Sequence, residues 1–282
     1  MPGRTGNEQH HEKARQKGLI TLTTSREYSG NMPPNAPVVD SWEAWPFYIV
    51  CDVSSSMHAD NFVEYWGSET SPWKLMHQAI YKVVKQLNKD VDIRQQVHLA
   101  VVEFADRAKT ALKLTQADRD DFRINDFSKG CLTDFAAVWK HLARMIPEDQ
   151  NKLASAGFKA ERPTIFFITD GNPDIGMNRE QTVNDWKQHV YAMRRTIGDE
   201  MRYPRIVAIG LGGMSNEDVL LELHSKSPHG AAVIANDINK VSVIVQAVIE
   251  QIQKSITYSA LRGDFTWDVP EGMKNLCNLT TH

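Results

Sequence analysis

The chain has 282 residues, with 35 Asp plus Glu against 32 Lys plus Arg, for a formal net charge of −3. Apolar residues at 41% and charged residues at 24% are ordinary globular usage, which excludes collagen-like, disordered and membrane classes. The near-neutral balance gives no electrostatic reason to expect nucleic acid or an anionic bilayer as partner. At this length one large α/β domain with tails is a normal outcome, and its core needs no disulfide or metal to fold.

Cys51, Cys131 and Cys277 are too few and too scattered for a disulfide framework or a cysteine zinc site. The polar opening MPGRTGNEQHHEKARQKG lacks the apolar centre of a signal peptide, and no run is long enough to span a membrane. These features read as a reduced, soluble, cytoplasmic protein. The sequon at Asn278 and the Arg262-Gly263-Asp264 triplet are then chance matches.

Residues 1–45 are polar and then Pro-rich, a flexible arm able to wrap the domain through Trp42 and Trp45. The domain itself is expected over residues 46–256. Phe47-Tyr48-Ile49-Val50-Cys51 is a continuous apolar run, the mark of a central strand buried on both faces. Ser71-Pro72 supplies an N-cap and a proline at the first helical position, and Trp73, Met76, Ile80, Val83, Val84 and Leu87 follow at helical spacing.

Val97 to Phe104 predicts a strand, and Ala108 to Leu114 a second one returning after a turn near Asp106. Phe135, Val138, Trp139, Leu142, Met145 and Ile146 mark a helix. Thr164 to Thr169 is another apolar strand, stopped by Asp170-Gly171-Asn172-Pro173. Next come a helix through Val183, Trp186, Val190 and Met193, and a strand from Arg205 to Leu211 ended by Gly212-Gly213. A short helix near Asn216 to His224, a strand at Ala231 to Ala235 and a helix from about Val241 to Ile256 complete the core. This alternation predicts an α/β fold with a doubly wound, mainly parallel sheet and helices on both faces. Ligands of such sheets bind outside the carboxyl ends of the strands. Residues 257–282 are expected to be a tail or an extension.

The chemically informative residues fall at that edge. Asp52-Val53-Ser54-Ser55-Ser56, a D-x-S-x-S pattern, directly follows the first core strand. Thr169-Asp170-Gly171 ends the apolar strand from Thr164, and between them Gly130-Cys131-Leu132-Thr133-Asp134 opens a helix. Hydroxyls from Ser54, Ser56 and Thr133 with carboxylates from Asp52 and Asp170 are hard oxygen donors suited to Mg²⁺ or Mn²⁺. The competing reading is that Asp52 and the serines only cap a helix or form Asx turns. The order of the three loops and their placement after strands favour the metal.

These residues resemble, in order and in context, the metal-ion-dependent adhesion site of von Willebrand factor type A domains. The resemblance covers about Phe47 to Ile256 and implies a six-stranded sheet of order 3-2-1-4-5-6 with one antiparallel edge strand. It implies Ser54, Ser56 and Thr133 as direct metal ligands, with Asp52 and Asp170 acting through water or from behind them. It also implies a shift of the last helix when a partner carboxylate joins the metal. Within the family the chain is most similar to the bacterial tellurite-resistance and stress-response branch, through the long gap to FFITDG-N-P and the IVAIGLGG strand ending. That branch implies companion proteins, among them a Ser/Thr kinase and a metal-dependent phosphatase.

The function expected is a protein-binding module without catalysis, in which Mg²⁺ or Mn²⁺ accepts an Asp or Glu carboxylate from a protein partner. One alternative is a Mg²⁺-dependent phosphoryl-transfer or hydrolytic enzyme; the sequence offers it no P-loop lysine and no Ser-His-Asp set. Another is a closed structural site, with Asp60 or Glu64 of the long His58 to Thr70 stretch filling the open position. Tyr65 and Trp66 in that stretch are candidate partner contacts. His58 reads as a surface histidine, Cys51 and Cys131 as buried thiols, Asp134 as a helix start, and Trp73, Trp139 and Trp186 as core packing.

Overall fold

The computed structural model describes residues 43–58, 71–89, 94–118, 129–176, 179–212, 215–225, 230–235 and 273–277, together with Ile244, Val248, Glu250, Ile252 and Val269. Strand β1 (Glu43–Asp52) starts before the apolar run and takes in the buried Ala44 and Trp45. It pairs in parallel with β2 (Val97–Phe104) on one side and β5 (Thr164–Thr169) on the other. Beyond β2 lies the antiparallel β3 (Ala108–Gln116), and beyond β5 follow the parallel β6 (Arg205–Leu211) and β7 (Ala231–Ala235).

The predicted strands stand in the expected order, 3-2-1-4-5-6, and the sheet then continues. Met273–Asn275 forms β8, antiparallel to β7, so both edges of the sheet are antiparallel. A two-residue strand, β4 (Lys159–Ala160), pairs with the start of β1. Both additions escape a pattern search because they are two or three residues long and carry a lysine. Leu276, just beyond β8, has no exposed surface and seats the segment.

Alternation along β1 sends Phe47, Ile49 and Cys51 to one core and Tyr48 and Val50 to the other. The first core is covered by helix α2 (Pro72–Lys89), which presents Met76, Ile80, Val83 and Leu87, and by Ile244, Val248 and Ile252. Those last three are helical and spaced by four; the rest of the helix expected from Val241 lies outside the described residues. Helices α3 (Phe135–Ser155), α4 (Val183–Ile197) and α5 (Glu217–Leu223) cover the second core. A short α1 (Ser55–His58) follows β1 directly.

The parallel strands place Asp52, Phe104, Thr169 and Leu211 at one pole of the sheet. Glu43 enters at the opposite pole, and β8, running antiparallel, leads Cys277 out there as well. Among the described residues no helix is long and apolar enough to cross a membrane.

Candidate metal centre

Three loops meet at the carboxyl ends of β1, β2 and β5. Asp52, the last residue of β1, has no exposed surface. Its Oδ1 accepts from the backbone N–H of Ser54 at 2.9 Å, and its Oδ2 accepts from Thr169 Oγ1 at 2.7 Å. Thr169 was not singled out by sequence reasoning. The signal lay in the register: Cys51 pairs with Ile168, so the next step sets Asp52 beside Thr169. Ser54 and Ser56 share a hydrogen bond between hydroxyls at 3.0 Å, and Ser56 Oγ donates to Asp170 Oδ1 at 3.0 Å. Asp170 Oδ2 is buried and has no hydrogen-bond partner among the described residues.

Thr133 reaches the same cleft by a different route. Its backbone pairs with that of Asp174, N to O at 2.8 Å and O from N at 3.1 Å. Gly130 N donates to Val53 O, Ser55 Oγ to Cys131 O, and Cys131 N to Asp106 Oδ2, which fastens this loop to the other two. Gly130 is required there, since a Cβ would stand 2.0 Å from the Cβ of Ala105. Ser54, Ser56, Thr133 and Asn172 thus line one open cleft. Hydrogen bonds join four of the five expected residues, Asp52, Ser54, Ser56 and Asp170, and the fifth, Thr133, faces them across the cleft wall.

Burial pushes the Asp52 carboxyl up to about 6, against the pull of the hydrogen bonds from Ser54 and Thr169. Burial first, and then the charge on Asp52, push Asp170 up to about 7. Unfolded, both would titrate near 3.8. Between those limits the folded state binds more protons than the unfolded one, so stability falls as pH rises. Denaturant midpoints in chelator are therefore expected to decrease from about pH 4 to about pH 7, and Asp170→Asn to flatten that slope. A pH-independent midpoint would contradict it.

The donor set fits a hard divalent cation. Two buried carboxylates repel one another, one carboxylate oxygen is unpartnered, and neutral hydroxyls stand beside them. Among the described residues no three His, Cys, Asp or Glu side chains gather as a metal-binding group, so a cation here needs the hydroxyls as well as Asp52 and Asp170.

Residues 47–172 match the family model of the von Willebrand factor type A domain, a span that includes D-x-S-x-S, Thr133 and Asp170. The fold is that of a von Willebrand factor type A domain. Solved structures similar to it include a mutant of the PilB minor pilin from Streptococcus sanguinis, 12% identical with a TM-score of 0.53, covering 80% of this chain and 65% of that one. The pilus adhesin SpaC from Lactobacillus rhamnosus GG is 11% identical with a TM-score of 0.53, covering 80% of this chain and 32% of that one. Proximal thread matrix protein 1 from the mussel byssus, with a zinc-occupied MIDAS motif, is 16% identical with a TM-score of 0.48, covering 75% of this chain and 48% of that one. The chain thus spans about half the length of the mussel protein. No curated protein matches it in a sequence comparison.

The residues around the site depart from two expectations. Cys131 is exposed, not buried, because its carbonyl and N–H are taken by Ser55 and Asp106 and its side chain is left outside. His58 is half-buried, with its ring 5.0 Å from that of Trp73. Cys51 is buried, and burial pushes its thiol well above the ordinary range. Asp134 does start α3: its Oδ1 accepts from Ala137 N at 2.8 Å and from Gln181 Nε2 at 2.7 Å. Asp60, Glu64, Tyr65 and Trp66 lie outside the described residues.

Proposed function

We propose that this VWA domain is a divalent-cation-dependent protein-binding module without catalytic activity. The observation that carries the reading is the buried Asp52–Asp170 pair, bridged by serine hydroxyls, with Asp170 Oδ2 left unpartnered beneath an open cleft. Ser54, Ser56 and Thr133 would be the direct ligands, with Asp52 and Asp170 behind them orienting the hydroxyls. Mg²⁺ or Mn²⁺ bound there would supply an open, positively charged position for a carboxylate. Thr169 fixes the Asp52 carboxylate, and the tie between Thr133 and Asp174 fixes the third loop. Because the hydroxyls are neutral, they leave the positive charge to an incoming Asp or Glu from a protein partner.

The finer setting we propose is a cytoplasmic stress-response assembly of the tellurite-resistance type, with a Ser/Thr kinase or phosphatase as companion. Its support is the resemblance of the FFITDG-N-P and IVAIGLGG segments.

Calorimetric titration with Mg²⁺ and Mn²⁺, followed by acetate or an acidic peptide, tests the site. The expected result is cation binding first, and carboxylate binding only to the loaded protein. Cation binding with no carboxylate response would make the site a closed structural clamp. Absence of cation binding would leave only the fold.

A further inference from the structure

At the pole away from the metal cleft, about 20 Å distant along β5, a cavity of about 460 Å³ opens between α4, α5 and the 3₁₀ turn Glu200–Arg202. Its apolar wall includes Trp186, Val190 and Leu223. The charged part of the lining is Arg162, Lys187 and Arg194 against Glu200 and Glu222. Lys187 is paired with Glu222, which leaves Arg162 and Arg194 facing the single carboxylate of Glu200.

Tyr203 holds both arginines in place. Arg162 Nε donates to its carbonyl, and the Arg194 guanidinium lies over its ring, 5.7 Å from the centroid. Burial, and next the charge of Arg194, lower the pKa of Arg162. Beside them Arg205 is pushed down to about 10, by burial first and then by Arg162. Like-charged guanidiniums repel one another, and Glu200 at Arg162 and Glu161 at Arg205 offset that repulsion in part. The indole N–H of Trp186, which lines the cavity, is buried with no acceptor among the described residues, as are those of Trp45, Trp73 and Trp139.

We propose that this cavity binds a small organic anion, an aromatic or apolar body carrying a carboxylate or phosphate, with the oxyanion held between Arg162 and Arg194. Planar guanidinium forks match such oxyanions, and the apolar wall matches the body of the ligand. The surplus of positive charge is small, because Glu200 and the carbonyl ends of α4 and α5 offset part of it. That balance suits one small anion and disfavours a nucleic-acid backbone. The inference is independent of the metal site.

The test is calorimetric titration of the full chain with phenyl phosphate and with benzoate, using inorganic phosphate and phenol as comparisons. Wild type is expected to bind at least one of the aryl anions more tightly than phosphate or phenol alone. Arg162→Gln and Arg194→Gln should each weaken that binding by about tenfold or more. Arg194→Gln keeps a good helix former on a half-buried surface position, so loss of binding with unchanged circular dichroism cannot be laid to unfolding. No heat from either aryl anion at millimolar concentration, or equal binding by the Arg162→Gln/Arg194→Gln double variant, would overturn the proposal.

Discussion

Asp52→Ala is expected to weaken Mg²⁺ or Mn²⁺ binding by about 100-fold and to abolish cation-dependent partner capture, while the sheet stays folded. Two opposing effects decide the stability of that variant. Removing the carboxylate leaves the Ser54 N–H and the Thr169 hydroxyl without their acceptor, at about 1–3 kcal/mol each. It also removes a buried charge whose pKa is raised to about 6, and that gain grows with pH. In chelator, then, the variant should be less stable than wild type near pH 5 and should close the gap toward pH 8. Asp52→Asn removes the charge and keeps one of the two acceptor oxygens, so its stability should fall between those of wild type and Asp52→Ala at pH 5. Thr133→Ala should match Asp52→Ala in cation affinity with little stability change, since the Thr133 hydroxyl is not part of the hydrogen-bonded chain from Ser54 to Asp170. Calorimetry and denaturant curves on all three variants check this. Undiminished partner capture by Asp52→Ala and Thr133→Ala, with cation loss confirmed, would sink the binding-module reading.

Phe135→Ala should produce the largest loss of stability, about 3–5 kcal/mol. Phe135 has no exposed surface and sits among Phe104, Phe167 and Trp186, with ring centroids 5.7, 5.1 and 6.2 Å away. This cluster adjoins the candidate metal centre in sequence as well as in space. Phe104 precedes Ala105 and Asp106, which hold the Asp134 and Cys131 amides. Phe135 follows Thr133 by two residues, and Phe167 precedes Thr169 by two. One packed group of rings therefore seats the Ala105–Asp106 turn, the Thr133 loop and the Asp170 loop, and a void at its centre should also weaken cation binding. Phe135→Leu keeps most of the volume and should cost less than about 1.5 kcal/mol with affinity nearly intact. Equal cation affinity for Phe135→Ala and wild type would show that the loops are placed by their hydrogen bonds alone.

The central strands and the meeting of the D-x-S-x-S and Thr169-Asp170-Gly171 loops could be read in the sequence because the physics there is local. A continuous apolar run names a buried parallel strand, and the polar residues that stop it must lie at its carboxyl end. In a doubly wound sheet those ends are neighbours, so D-x-S-x-S and Thr169-Asp170-Gly171 meet without further information. Thr169 as the anchor of Asp52 needs the register of two strands, which no single segment contains. The exposure of Cys131 depends on hydrogen bonds to Ser55 and Asp106, 76 and 25 residues away. Strand β8 is too short to show a period. The arginine cavity is the least legible feature: Arg162, Arg194 and Tyr203 come from three segments, and only the tertiary fold brings their charges together.

The shared exit of Glu43 and Cys277 from one pole bears on how the domain can be attached. A tag or a solid surface attached at Glu43 or Cys277 stands on the far side of the sheet from Asp52 and Asp170. An anchor placed at Glu43 or Cys277 itself stands at the opposite pole of the sheet from Ser54, Ser56 and Thr133. Immobilisation chemistry aimed at those two positions should thus keep the anchor away from the candidate cleft.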